Sequence, residues 1–553
     1  MMPRPAAGKP RTSLLTRRHV LRRSPLVVAG TLALLGTGCG PGSELVEVDT
    51  AQGRLRGRRE GGVVAFKGVP YAGGVSGEQR FKAPPPLTPW RGVRDALEFG
   101  PHCFQPQTAI MHLPTPMDEN CLVLNVWTPA VKGTQRRPVM VYLHGGGFSI
   151  GSGEEVDGTA LAHHQDVVVV SVNHRLGILG YLYLGDLGGE EYATSGNQGT
   201  YDLIAALQWI HDNIEAFGGD PQRVMIFGES GGGAKVATLY ASAPARGRFH
   251  RASIQSAPAA KLVTREEAAQ ATLYCLDKLG IRPDQFRKLE EVPAARLMDV
   301  QRSGGESTNI GPVVDGRCVT QHPFYPNASP VGADIPLLVG NNRDEATLFL
   351  QMANDRTAFS LSRTALLERL DKQYPGRAQR LLQVYEGSRP HASPTDLYVA
   401  ITTANMVWNA MDVIAERKAE QQRAPTFKYL FAYPSARKIP GTRYARGAMH
   451  SLELNFEFDN VGHLESPLDM TEEPASREGM QRRLETARNM SELWAGFARE
   501  GVPHGAHQPA WPPFTAEQRA TMIIDAQCRV VADPYREERL VWLEKGSPPR
   551  DGS

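Results

Sequence analysis

The passage Arg223-Val224-Met225-Ile226-Phe227-Gly228-Glu229-Ser230-Gly231-Gly232-Gly233-Ala234-Lys235-Val236-Ala237-Thr238-Leu239 constrains this chain more than any other. Val224 to Phe227 form a continuous apolar run, the pattern of a strand covered on both faces. A Gly-x-Ser-x-Gly turn follows, and small residues then lead into a segment able to start a helix. A strand that turns at once into a helix leaves Ser230 at a strained apex, where bulky neighbours would strike the backbone. Gly228 and Gly232 remove those collisions, and the helix N-terminus beyond favours developing negative charge. The motif alone is weak among 55 glycines, where a glycine-rich tight turn is the plain alternative. Its place between strand and helix makes Ser230 a candidate nucleophile. Such a serine needs an oxyanion hole, an acid and a histidine from the rest of the chain.

Val141-Tyr142-Leu143-His144-Gly145-Gly146-Gly147-Phe148 offers the first of these. Consecutive glycines after a strand let backbone N–H groups converge with no side chain in the way. An oxyanion beside Ser230 can then accept from Gly146, Gly147 and Gly231.

Around these motifs the apolar runs Cys121 to Trp127, Pro138 to Leu143, Val167 to Val172, Ala252 to Ser256, Ile335 to Val339 and Phe427 to Tyr433 read as strands. Asp202 to Phe217 carries helical periodicity. The alternation predicts an α/β fold around a mostly parallel sheet. Residues 44–66 predict a small N-terminal antiparallel sheet, and Thr521 to Ile524 a last edge strand. Helical insertions about 262–330 and 360–424 are expected to wall a gorge above the sheet, with loop 105–118. Gly280 breaks the first insertion.

The first 39 residues read as an export segment. Thr16-Arg17-Arg18-His19-Val20-Leu21-Arg22 has the form of a twin-arginine signal, and the apolar run from Leu26 to Leu35 is too short to span a bilayer. Leu34-Leu35-Gly36-Thr37-Gly38-Cys39 resembles a lipoprotein processing site with its leucine displaced by one, which leaves a lipid anchor on Cys39 open. The expected location is therefore periplasmic, secreted or membrane-anchored in a bacterium. Removing that segment takes away seven of the 61 Lys/Arg and none of the 59 Asp/Glu, so 54 basic residues face 59 acidic ones. The net charge of +2 becomes −5, and nucleic acid has little support as a partner. The expected organisation is a signal over 1–39, one large catalytic domain over 40–545 and a flexible tail over 546–553. Export permits disulfides, and Cys103 and Cys121 are close enough in sequence to staple a loop.

The two glycine motifs in this order resemble those of the type-B carboxylesterases, the family of the cholinesterases and the bacterial para-nitrobenzyl esterases. The resemblance extends through Gly68-Val69-Pro70-Tyr71-Ala72, Glu119-Asn120-Cys121-Leu122-Val123-Leu124-Asn125-Val126, Asn173-His174-Arg175-Leu176-Gly177, Phe217-Gly218-Gly219-Asp220-Pro221 and Pro312-Val313-Val314-Asp315-Gly316. It implies an α/β-hydrolase fold and a serine esterase acting on a small-molecule ester without metal or organic cofactor, as a monomer or weak homo-oligomer. It implies Glu345 as the acid, in Asn342-Arg343-Asp344-Glu345, and His450 as the base, in His450-Ser451-Leu452-Glu453-Leu454-Asn455-Phe456. From the residues alone Glu345 reads rather as a solvated loop carboxylate. His463 lacks the family context and reads as surface or as a group behind the site. The resemblance also implies a Cys103–Cys121 disulfide, an Arg80–Glu119 ion pair near the gorge base, and an electrostatic influence of Glu229 on His450. Cys275 matches half of a second family disulfide, but Phe286 stands in its partner's region.

The departures bear on specificity. Gly231 replaces the alanine usual after the nucleophile, and His174 replaces a tyrosine. The cholinesterases' cation-binding tryptophan falls on or near Met111, which removes a cation–π basis for choline selectivity. The expectation is an ester hydrolase with an open acyl preference. Carbamates, amides, thioesters and polyesters are alternatives, and a non-catalytic binding or adhesion protein on the same fold is a further one.

Overall fold

The computed structural model describes residues 44–106, 113–131, 133, 135–304, 309–462 and 476–545. Cys39, Met111 and His463, the segment 1–39 expected to be an export signal and the expected tail over 546–553 lie outside these residues. The described residues form one compact unit.

The apolar runs become strands because each buries side chains on both faces. In chain order these are β1 (Leu45–Thr50), β2 (Gly53–Glu60), β3 (Val63–Pro70), β4 (Val93–Asp95), β5 (Val123–Thr128), β6 (Arg137–Leu143), β7 (Val168–Val172) and β8 (Gly219–Glu229). There follow β9 (Arg251–Gln255), β10 (Leu337–Asn342), β11 (Thr426–Phe431), β12 (Ser435–Lys438), β13 (Ala445–Gly447), β14 (Ala520–Ile524) and β15 (Arg529–Ala532). All but β12 and β13 join one sheet in the order β1-β2-β3-β5-β7-β6-β8-β9-β10-β11-β14-β15, with β4 on β2. From β7 across to β14 every neighbouring pair is parallel.

The two-residue period of a strand feeds two cores. From β6, Val139, Val141 and Leu143 enter one core while Met140 and Tyr142 enter the other. From β8, Val224 and Ile226 divide from Met225 and Phe227 in the same way. The helices Gln198–Asn213 and Gly231–Tyr240 close the first core, and the helix Arg477–Glu500 closes the second through Met490, Leu493, Trp494 and Phe497. Each fully buried side chain of this size contributes about 1.5–3 kcal/mol, so β6 and β8, central in the sheet, form a rigid base for what stands at their ends.

The N-terminal strands β1, β2 and β3 are antiparallel as expected, and through the pairing of β3 with β5 they continue the main sheet. One expectation needs correction. The last edge strand is β15 rather than β14, because Arg529–Ala532 pairs antiparallel with Ala520–Ile523 and shields it. Arg529-Val530-Val531-Ala532 is too short and too exposed to stand out as a strand by pattern. Among the described residues no helix is long and apolar enough to cross a membrane.

Candidate active site

β8 ends at Glu229, and the helix Gly231–Tyr240 starts one residue later. The turn between them is Ser230, at φ 56° and ψ −125°, a conformation L-residues seldom adopt. It is possible only because the strand and helix nearly touch: a Cβ on Gly228 would lie 2.7 Å from the carbonyl carbon of Gly232, and one on Gly232 would lie 2.0 Å from the Leu143 oxygen. The Ser230 amide is tied to the Gln255 carbonyl at 2.9 Å, which fixes the apex against β9.

The loop after β6 folds back through the amides of Ser149 and Ile150, both donating to the Gly146 carbonyl. Gly146 and Gly147 sit at φ 82° and 61°. Among the described residues the amides of Gly146, Gly147 and Gly231 donate to no protein acceptor, and the Gly147 nitrogen rests against the Cα of Gly231. Gly147 and Gly231 line the cavity together with Ser230, so their unpaired amides are suited to an anionic oxygen there.

Glu345 follows β10 and is fully buried. Its Oε1 accepts from the Asn342 amide at 2.6 Å and the Ser256 hydroxyl at 2.7 Å, and its Oε2 faces His450 Nδ1 at 2.5 Å. The opposite nitrogen, Nε2, lies 3.0 Å from Glu229 Oε1, off the line of a hydrogen bond. No hydrogen bond joins the Ser230 and His450 side chains, although both line the same cavity. Such bonds often close only when substrate is present. The ring of Phe349 covers the imidazole at 4.8 Å between centroids.

Burial alone would lower His450, but the carboxylates of Glu229 and Glu345 outweigh it and push the imidazole up to about 9. Burial pushes the Glu229 carboxyl up to about 7 and Glu457 up to about 8. Burial also raises Glu453 well above the carboxylate range, helped by the charges of Glu229 and Glu345. Asn342 donates to Glu453, and Gln255, whose carbonyl holds Ser230, donates from its side chain to Glu457 at 2.9 Å. Ser256, Gln255 and Glu457 carried no motif, and Asn342 and Glu453 lay inside the segments around Glu345 and His450 without a role of their own. The only signal was position, since the two glutamates follow His450 by three and seven residues.

The cavity above Ser230 measures about 860 Å³. Its walls are largely apolar: Phe148 from the glycine loop, Leu262, Val263 and Ile310 from the first insertion, Phe349 from the helix Ala346–Met352 and Met406 from the second insertion. Met406 stands in a π-helical turn, Ala404–Trp408, that interrupts the second insertion's helices. No described residue of 105–118 lines the cavity.

Arg80 and Glu119 form a two-pronged pair at 2.6 and 2.5 Å. Neither lines the cavity. The free Nη1 of Arg80 instead donates to the carbonyls of Leu289, Glu290 and Val292. Cys103 and Cys121 are buried thiols in the structure, not a disulfide, with the hydrogen bond between them and burial both raising Cys121. Cys275, Cys318 and Cys528 are also thiols. Among the described residues no cluster of His, Cys, Asp and Glu is arranged to hold a metal ion.

The family model for the carboxylesterases matches residues 44–542, from β1 to the last helix. The chain belongs to the carboxylesterase family. This carboxylesterase is an ester hydrolase on a serine-hydrolase fold. It is 34% identical over 504 residues to a para-nitrobenzyl esterase of Bacillus subtilis, covering 89% of this chain and 97% of the relative. A solved carboxylesterase of Geobacillus stearothermophilus is 38% identical at a TM-score of 0.76, covering 90% of this carboxylesterase and 99% of that chain. An esterase of the anaerobe Clostridium hathewayi, described as able to hydrolyse aliphatic aromatic polyesters, is 30% identical at a TM-score of 0.76, over 91% and 99% of the two chains.

Proposed function

We propose that this carboxylesterase cleaves small-molecule carboxylic esters through an acyl-enzyme on Ser230, with Glu345 and His450 completing the triad. The observation that carries the reading is the contact of His450 Nδ1 with the buried Glu345 carboxylate, beside a cavity that His450 shares with the strained Ser230. His450 takes the hydroxyl proton as Ser230 attacks the ester carbonyl. Glu345 holds the tautomer and stabilises the imidazolium. The amides of Gly146, Gly147 and Gly231 receive the developing oxyanion. The alcohol leaves with the proton from His450, and water then releases the acid by the same path.

The apolar walls favour uncharged acyl and alcohol groups. A second reading, hydrolysis of polyesters, draws on the Clostridium hathewayi relative. The test is turnover of p-nitrophenyl acyl esters of rising chain length, beside soluble polyester fragments. Ser230→Ala is expected to lower kcat by about 10³- to 10⁶-fold; a variant with unchanged turnover sinks the assignment.

The same proposal holds residues 1–39 to be an export signal and 40–545 a single catalytic domain. In the exported protein Cys103 and Cys121, already neighbours, pair as a disulfide. Peptide mapping of exported enzyme under non-reducing conditions is expected to find them linked, and both alkylated as free thiols is the contrary result.

A further inference from the structure

Beneath the glycine loop lies a lysine that the acyl transfer does not use. Lys235 stands in the Gly231–Tyr240 helix, only 1% exposed, and lines no part of the substrate cavity. Its Nζ donates to the carbonyl oxygens of His144 at 2.7 Å and Gly145 at 3.3 Å. An apolar residue would fill a buried helix face at far lower cost than an ammonium group. Burial draws the ammonium down to about 7, against the pull of the Glu155 carboxyl, which is itself buried and bonded to the Tyr142 hydroxyl at 3.0 Å. The rings of His144 and His174 stack beside it at 4.9 Å, and burial keeps both imidazoles well below their ordinary range.

What Lys235 binds is specific. The Gly145 oxygen and the Gly146 N–H are two ends of one peptide group, and the His144 oxygen shares a peptide with the Gly145 N–H. A cation on the oxygen polarises the peptide and makes its N–H a stronger donor. It also fixes the peptide planes, and so the direction in which the next amides point.

Gly231 supplies an independent observation. A Cβ there would lie 2.3 Å from the Gly147 nitrogen and 2.5 Å from its Cα. The loop backbone occupies the place of a side chain. The alanine usual in the resembled family has no room in this seat.

We propose that Lys235 and Gly231 together set the oxyanion hole. Lys235 draws residues 144–147 down onto the nucleophile helix and aims their amides, and the missing side chain at Gly231 leaves the space the loop fills. Lys235 is a positioning residue. The idea rests on acyl transfer at Ser230.

The experiment compares wild type with Lys235→Met, Gly231→Ala and the double variant. It reads kcat, KM and the inhibition constant of an alkyl trifluoromethyl ketone, whose adduct with Ser230 places an oxyanion in the hole. Turnover by wild type and its loss in Ser230→Ala first establish the underlying reading; an inactive wild type defeats that reading and this one together. With an active wild type, Lys235→Met is expected to lower kcat about 10- to 100-fold, with KM within about threefold, and to weaken the ketone by the same factor. Gly231→Ala is expected to act alike, and the double variant to be no worse than the poorer single one, because both release the same seat. Unchanged kcat in Lys235→Met, or lost kcat without lost ketone affinity, overturns the proposal. If Lys235→Met does not fold, Gly231→Ala decides: wild-type kcat and ketone affinity in that variant overturn it equally.

Discussion

His450 lies between two carboxylates with different tasks. Glu345, fully buried and bonded by Ser256 and the Asn342 amide, has no freedom to leave Nδ1. Glu229 faces Nε2, the nitrogen proposed to take the serine proton, and so competes electrostatically with that role. An imidazole is a base only when neutral, so activity rises as pH climbs through its folded-state value, which the two carboxylates push up to about 9. Removing one negative charge lets the imidazole lose its proton at lower pH. Glu229→Gln is therefore expected to move the acid limb of kcat/KM down by about one pH unit. A limb that stays in place or moves upward rules out Glu229 as the group holding His450 protonated.

At the scale of elements, Arg80 connects two parts of the chain about 200 residues apart. Its pair with Glu119 and its three carbonyl acceptors fasten the 3-10 segment Pro283–Glu290 and the turn after it to the body of the enzyme. Arg80→Met leaves Glu119 and those carbonyls without their donor. It is expected to cost about 3–5 kcal/mol, seen as a lower unfolding temperature and faster proteolysis between 283 and 304, with kcat within about threefold of wild type. A variant that keeps its stability but loses kcat would return Arg80 to a role at the site. The segment also marks where the sequence was legible. The strands from Val123 to Phe431 and the Ser230 elbow stood out because a two-faced buried strand needs an unbroken apolar run and an elbow needs glycines. Gly280 likewise ends the helix Arg265–Leu279 as expected. By contrast, β15 and the π-helical turn at Ala404–Trp408 are set by tertiary packing and leave no periodic mark. Glu345 and His450 were legible through the resemblance alone. Ser256, Gln255 and Lys235 stayed hidden, because a hydrogen bond from β9 or from the face of a helix has no sequence spacing of its own.

Across the whole molecule, the parallel sheet ends in an unusual concentration of buried acid. Glu155, Glu229, Glu453 and Glu457 are all raised chiefly by burial, three of them to between about 7 and 8. A carboxyl raised in the folded state binds its proton more tightly there than in the unfolded chain, whose value is near 4.5. Stability from that difference is present at low pH and is lost as pH rises through the folded value. His144 and His174 push the other way, since imidazoles lowered by burial add stability as pH rises toward 6.5, and Lys235, lowered to about 7, adds it from there upward. The wild-type curve sums these opposed slopes, so a single group is best read as a difference. Glu457, raised to about 8, accepts from Gln255 Nε2 at 2.9 Å, and a glutamine in its place keeps an acceptor while never ionising. Glu457→Gln is expected to match wild type near pH 5 and to exceed it increasingly up to pH 8, by about 1–3 °C in unfolding temperature for a chain of this size. A difference that is flat between pH 5 and 8, or that shrinks, means Glu457 is already ionised in the folded enzyme, and burial then does not hold its proton.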